Sequence, residues 1–132
     1  MTPEEGEYIL KWYTKADSDL LVAKMAIEMN PLILDAACFH CQQCVEKYLK
    51  AYLFYKGEEI LKIHDLTRLR KSCAKFDSDF ADINFKDLNA YAVEARYPDN
   101  FLAPDLSEAK EYLQIAEAVK ELVRKKIIFD TN

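Results

Sequence analysis

Residues 35–57, DAACFHCQQCVEKYLKAYLFYKG, contain an uninterrupted series of apolar and small side chains at intervals of three and four positions. Only an α-helix brings residues with this spacing onto one face. We predict a helix from about Leu32 to Lys56, ended by Gly57, because glycine readily adopts the left-handed conformation found where many helices stop. The predicted buried face comprises Ala37, Cys41, Cys44, Tyr48, Ala51 and Tyr55, flanked by Cys38, Val45, Leu49 and Leu53.

Two more long helices are predicted, one towards each end of the chain. The first begins with a capping pattern, Thr2-Pro3-Glu4-Glu5, and runs to about Met29. Asn30-Pro31 ends it, because the residue before a proline is forced out of the helical region. The last helix begins at a similar pattern, Asp105-Leu106-Ser107-Glu108, and its apolar face continues to Ile127.

Two shorter helices are predicted in between. Asp65 is placed to cap a helix that begins at Leu66, and Asn84 to cap one that runs from Phe85 to Ala95. No segment shows the alternating pattern of a strand. The sequence therefore predicts the all-α class, as an antiparallel up-and-down bundle of four to five helices, with residues 1–132 forming one domain.

The composition agrees with a helical domain and disfavours several other classes. Of 132 residues, 51% are hydrophobic and only 2 are glycine, which argues against a disordered chain, a hairpin-rich β-fold and a glycine-rich phosphate loop. No apolar run approaches the roughly 20 residues that span a bilayer. Because the first residues are acidic rather than basic and three of the four cysteines fall in one predicted helix, we expect a cytoplasmic protein that does not associate with membranes.

The charge of the chain is unevenly distributed. The formal net charge of −5 disfavours a protein dedicated to duplex DNA. Residues 40–75, however, contain 8 basic and 4 acidic side chains, a local excess of +4. An anionic ligand in this middle segment is therefore compatible with the sequence.

Cys38, Cys41 and Cys44 suggest either a metal site or core packing. Thiolates at short spacing bind zinc or iron–sulfur clusters, usually from loops that can curl around the metal. On a helix these intervals spread the sulfur atoms over about 120° of the circumference, and cysteine is also a good small core residue. We therefore expect core packing, and no metal or other cofactor.

The two histidines lie in different settings. His40 shares a flank of its predicted helix with Gln43, Lys47 and Lys50, a polar composition typical of a solvent-facing surface. His64 directly precedes a predicted helix start, where free N–H groups and the helix dipole favour anions. The alternative for His64 is a structural role, in which its ring bonds a backbone carbonyl and fixes the loop.

Arg96 and Tyr97 form a second candidate site at the end of the predicted fourth helix. The guanidinium group offers a planar fork for phosphate or carboxylate, and the neighbouring ring can stack on a base. The alternative is that Arg96 binds the last carbonyls of its own helix while Tyr97 packs over the loop.

Four segments in this order resemble the HEPN domain family (higher eukaryotes and prokaryotes nucleotide-binding). They are residues 35–57, then HDL at 64–66, RYPDN at 96–100, and the final helix beginning PDLSEAKEYLQIAEAV at 104. The resemblance covers essentially the whole chain, and the combination is more specific than any one of its parts.

The resemblance implies a helical bundle that is commonly dimeric and often encoded beside a minimal nucleotidyltransferase in a prokaryotic toxin–antitoxin module. It therefore implies that this chain forms a homodimer. It also implies that the homodimer binds a nucleotide or that nucleotidyltransferase, and RNA is a further ligand compatible with the family. The candidate binding residues are Arg96, Tyr97, His64, Asp65, Lys47 and Lys50.

One departure from the family bears on catalysis. Many HEPN proteins are metal-independent ribonucleases whose arginine and histidine lie four to six residues apart, but no histidine follows Arg96 at that distance. The sequence therefore favours a non-catalytic binding module. The alternative is a ribonuclease toxin with a rearranged site, in which His64 approaches Arg96 through the fold or across a dimer.

Overall fold

A computed structural model describes residues 1–29, 33–60, 62–92 and 103–129. Within these ranges the secondary structure is entirely helical, so the predicted all-α class is confirmed. None of the described helices is both long and apolar enough to cross a bilayer. The elements are α1 (Pro3–Met29), α2 (Leu34–Tyr55), α3 (Leu66–Ala74), the 3-10 helices η1 (Ser78–Phe80) and η2 (Leu88–Ala92), and α4 (Leu106–Lys126).

α1 and α2 pack side by side in opposite directions. The ring of Tyr8, near the start of α1, lies 4.7 Å from the ring of Phe54, near the end of α2. Further along, Asp19 of α1 contacts His40 in the first half of α2. The two helices therefore form an antiparallel hairpin.

α4 is also antiparallel to α1, and so it runs parallel to α2. The ion pairs between α1 and α4 join Asp17 to Arg124 and Lys24 to Glu117. Two parallel helices require a return crossing of the bundle, which α3, η1 and η2 provide. Cys73 of α3 lies against Leu49, whereas Tyr91 of η2 lies against Cys38, closer to the start of α2.

One polar network ties the three long helices together. The hydroxyl of Tyr48 on α2 donates to the carboxylate of Asp17 on α1, and Arg124 of α4 donates to both of them, at 3.1 Å and 2.8 Å respectively. Burial acts to raise the pKa of Asp17, but the Tyr48 hydrogen bond and the Lys120 ammonium outweigh it and lower that pKa. The carboxylate of Asp17 is therefore held in its charged form at the junction of α1, α2 and α4.

α2 forms the centre of the core. Asp35 alone among its 22 residues is exposed, because α1, α4, α3 and η2 surround the helix. Cys38, Cys41 and Cys44 are completely buried, which confirms the prediction of core packing for these residues. Burial raises the pKa of Cys38 and Cys44 to about 12 and also raises the pKa of Cys41.

The local signals at three helix starts and one helix end act as predicted. Thr2 accepts a hydrogen bond from the Glu5 N–H at 3.1 Å, and Asp105 caps α4 through the Glu108 N–H. Gly57 follows α2 with a φ of +83°, a conformation that a side chain would strain. Asp65 caps α3 and is described with the site below.

The predicted α-helix from Phe85 to Ala95 is wrong over its described part. The side chain of Asn84 bonds the N–H of Lys86, as a cap would, but Lys86 has a φ of +52°. A residue in this left-handed region cannot continue a right-handed helix. The chain instead forms successive 3-10 turns and the short helix η2, and residues 93–95 lie outside the described ranges.

Candidate functional site

A buried carboxylate on α2 organises a polar cluster beside the loop that leads into α3. The side chain of Glu46 is 5% exposed. Its two oxygens bind Lys50 Nζ at 3.1 Å and His64 Nδ1 at 2.9 Å. Gln42, one turn earlier, contacts the same carboxylate at 3.5 Å and donates to the carbonyl of His64 at 3.0 Å. We call Gln42, Glu46, Lys50 and His64 the Glu46 cluster.

The Glu46 cluster leaves one face of His64 available to a ligand. Its side chain is 56% exposed, although the ring is held by a buried partner. A carboxylate can only accept hydrogen bonds, so Nδ1 carries the proton and Nε2 is the nitrogen available for other contacts. A neutral ring accepts at Nε2 and a protonated ring donates there. The predicted alternative for His64, a bond from its ring to a backbone carbonyl, is not what the structure shows.

The start of α3 is already saturated by side chains of the protein. The Asp65 carboxylate accepts from the N–H groups of Thr67 and Arg68 at 3.0 Å and 3.4 Å. Asn89 of η2 accepts from the Leu66 N–H at 2.8 Å and donates to Asp65 at 3.1 Å. The expectation that free N–H groups attract an anion here is therefore wrong, and the imidazole of His64 is the group that can meet a ligand.

The two candidate lysines on α2 are engaged in different clusters. Lys47 binds the carboxylate of Asp19 on α1, which also accepts from His40 at 2.8 Å. Lys50 is nearly buried, with 7% of its side chain exposed, and belongs to the Glu46 cluster. The prediction of a single solvent-facing flank is therefore wrong, because α1 covers one part of it and the loop at His64 covers another.

The structure thus brings three of the six candidate residues to one place, namely His64, Asp65 and Lys50. Lys47 lies in the separate cluster with Asp19. Arg96 and Tyr97 lie outside the described residues. Within the described ranges, no group of three or more histidine, cysteine or acidic side chains is arranged to hold a metal ion.

Two functional candidates in the cluster, Gln42 and Glu46, were not among the predicted binding residues. Gln42, Glu46 and Lys50 follow one another at intervals of four, which places them on one helix flank. That flank adjoins the buried positions Leu49 and Leu53, so polar residues there need partners from elsewhere in the fold. This combination of spacing and apolar neighbours was the available signal.

Comparison with solved structures identifies two similar folds. The chain superimposes on the crystal structure of TT1696 from Thermus thermophilus with a TM-score of 0.70 and 22% identity, covering 90% of this chain and 98% of that one. It superimposes on ST0689, an archaeal HEPN homologue, with a TM-score of 0.66 and 25% identity, covering 91% and 98%. No curated protein sequence matched the chain.

The sequence model of the HEPN domain matches residues 9–126. This match contains most of the α1–α2 hairpin, the Glu46 cluster and the whole of α4. The chain therefore belongs to the HEPN domain family.

Proposed function

We propose that this chain is a non-catalytic HEPN-type module of a toxin–antitoxin system that binds a nucleotide or a nucleotidyltransferase partner. Family membership supports the type of module. The observation that carries the binding site is the exposed imidazole of His64 held on the buried carboxylate of Glu46. A ring fixed in this way loses little conformational freedom when it binds a ligand.

Phosphate is the part of a nucleotide that suits His64. A protonated imidazole that keeps its Nδ1–H on Glu46 donates from Nε2 to a phosphate oxygen. Arg96 and Tyr97 remain part of the proposal, as a second cation and a stacking ring. Asp65 supports the site from within the fold by capping α3, whereas Lys47 is bound to Asp19 in the separate cluster and is not part of the proposed site.

Calorimetry with AMP, GMP, CMP and UMP tests this proposal. We expect at least one of them to bind and His64→Ala to weaken binding about 10- to 100-fold, the value of one hydrogen bond to a charged group. His40→Ala is the matched control, because His40 is also held by a carboxylate but in the other cluster. Absence of binding by the folded protein would refute nucleotide binding.

The pairing with a nucleotidyltransferase has its own test. Co-expression of this chain with a small nucleotidyltransferase encoded beside it should yield a complex that survives size-exclusion chromatography. Arg96→Ala should weaken that complex, whereas a substitution of exposed Glu28 on α1 should not. A neighbourhood without such a gene, or two proteins that elute separately, would contradict the pairing.

A ribonuclease is the second candidate, because the Glu46–His64 arrangement also suits proton transfer. With Nδ1–H on the carboxylate, a neutral ring presents Nε2 to accept a proton from a ribose 2′-hydroxyl. A ribonuclease would cleave RNA in EDTA and lose this activity in His64→Ala. RNA left intact by the purified protein would reject this candidate.

A further inference from the structure

A small cavity lies next to the Glu46 cluster, where the end of α2, residues 58–60, Ile63 and α3 line it. Its volume is about 110 Å³. Its apolar wall consists of Leu53, Ile60, Ile63, Leu69 and Phe76. Lys50 also lines the cavity, and it is the residue that connects the cavity to the Glu46 cluster.

The outer edge of this cavity is polar and rich in free acceptors. Glu58, Glu59 and Lys75 are exposed residues that line it. Within the described part of the chain, the carboxylates of Glu58 and Glu59 are engaged in neither a hydrogen bond nor an ion pair. By contrast, both Asp77 and Asp79, a few residues further on, are paired with Lys126. Two unengaged carboxylates beside an apolar wall favour a flat apolar group that carries N–H donors.

We propose that this cavity binds the base of the nucleotide and that it selects guanine. This inference rests on the nucleotide binding proposed above. Guanine presents N1–H and the N2 amino group side by side, so one carboxylate can accept from both. Adenine places an acceptor, N1, at the corresponding position, where it would face the lone pairs of the carboxylate.

The position of the cavity agrees with the placement of the phosphate at His64. Ile63 lines the cavity and His64 is the next residue, so the two parts of the site are adjacent along the backbone. Phe76 lines the cavity and is 42% exposed, so its ring offers a surface for stacking. An engineered cavity of roughly 150 Å³ holds benzene, so we infer that the edge of the base enters this smaller cavity while the remainder stacks outside.

Three mononucleotides separate the contributions of the base. GMP, IMP and AMP share the ribose phosphate, IMP lacks only the N2 amino group of GMP, and AMP reverses the donor at N1. We expect affinity to decrease in the order GMP, IMP, AMP, with at least a tenfold difference between GMP and AMP in calorimetry. Equal affinities would overturn the base subsite and leave nucleotide binding intact. Absence of binding by all three would overturn the guanine subsite, and absence of CMP and UMP binding as well would also overturn nucleotide binding.

Variants at the edge of the cavity test the residues. Glu58→Ala/Glu59→Ala should reduce the preference for GMP over AMP to less than threefold, because it weakens GMP binding and does not weaken AMP binding. Glu28→Ala is the control, because Glu28 is an exposed carboxylate on α1, outside the cavity lining. Ser72→Trp should block the cavity and weaken GMP binding at least tenfold. If Glu58→Ala/Glu59→Ala keeps the full preference for GMP over AMP, the assignment of Glu58 and Glu59 to the guanine subsite is overturned. This result does not depend on whether Ser72→Trp folds.

Discussion

Glu46 and Lys50 form an ion pair that is almost completely removed from water. Their side chains are 5% and 7% exposed, and the pair also orients His64. Removing one partner of such a pair leaves an uncompensated buried charge, whereas replacing both with apolar residues does not. The pair therefore couples the stability of the domain to the geometry of the candidate site.

A comparison of a single variant with a double variant tests this coupling. We expect Lys50→Met to lower the free energy of unfolding by about 3–5 kcal/mol, and Lys50→Met/Glu46→Leu to recover most of the loss. Urea denaturation provides the measurement. Lys24→Met is the control, because its pair with Glu117 is more than 40% exposed on both sides and should contribute at most about 1 kcal/mol. Equal losses in the single and double variants would contradict the interpretation.

The buried thiols predict how stability depends on alkaline pH. Burial raises the pKa of Cys38, Cys44 and Cys73 from 9.0 to about 12. These thiols stay neutral in the folded protein, whereas those of the unfolded chain ionise from about pH 9.0 upwards. The free energy of unfolding should therefore be insensitive to these groups below about pH 9 and fall as the pH rises towards about 12.

Urea midpoints at pH 8.0, 9.5 and 10.5 measure this decline, and Cys73→Ala should make it shallower. At pH 8.0 a thiol reagent should label the folded protein only as fast as it unfolds. Rapid labelling at all four cysteines without urea would contradict their burial.

The start of α3 shows how one element is fixed by a few side chains. Asp65 and Asn89 together satisfy the N–H groups of Leu66, Thr67 and Arg68. This arrangement holds the loop in which His64 lies and joins α3 to η2. The candidate site therefore depends on an element boundary as well as on the residues of α2.

Removal of this cap should have a moderate effect. We expect Asp65→Ala to lower the free energy of unfolding by about 1 kcal/mol, within the usual range of roughly 0.5–2 kcal/mol for a lost N-cap. Thr67→Ala is the control in the same turn, because the cap uses the backbone of Thr67 and not its side chain. Equal thermal midpoints for Asp65→Ala and Thr67→Ala would show that the cap contributes little.

Most elements could be predicted because their signals are local. The caps at Thr2, Asp65 and Asp105 and the stop at Gly57 each act within a few residues. The α-helix predicted after Asn84 does not form, and the cause is also local. Lys86 has a left-handed backbone conformation and closely follows the capping side chain of Asn84. A capping side chain by itself therefore does not distinguish the start of an α-helix from the start of a 3-10 turn.

The candidate site could be predicted only in part. His64 and Asp65 were recognised because they precede a helix start. The partner of His64 is 18 positions earlier in the chain, on another helix, and no local pattern specifies that contact. The helical spacing puts Lys47 and Lys50 on one flank of α2. The tertiary fold places α1 against Lys47 and the loop at His64 near Lys50, and the local sequence does not specify these contacts.

The outer face of α1 makes a prediction about the whole molecule. Leu21, Val22, Met25 and Met29 are 58%, 42%, 48% and 75% exposed and lie on one face of the helix. Ile33, just before α2, is 43% exposed. An apolar surface of this kind is typical of an interface between subunits, and we predict that a second copy of this chain covers it.

Substitution of this face should separate the subunits. We expect light scattering to give a dimer for the unmodified chain and a monomer for Met25→Asp. Ile128→Asp is the matched control, because Ile128 is also exposed, at 65%, but follows α4. A monomeric unmodified protein, or a dimer that tolerates Met25→Asp, would reject this face as the interface.

The hydrogen bond between Arg124 and Asp17 joins residues that are 107 positions apart. The α1–α2 hairpin needs only a short connection, whereas the docking of α4 closes a long loop at a larger entropic cost. We therefore expect the α1–α2 hairpin to form before α4 docks. If the hairpin forms first, substitutions in α4 such as Val119→Ala accelerate unfolding and leave the folding rate nearly unchanged.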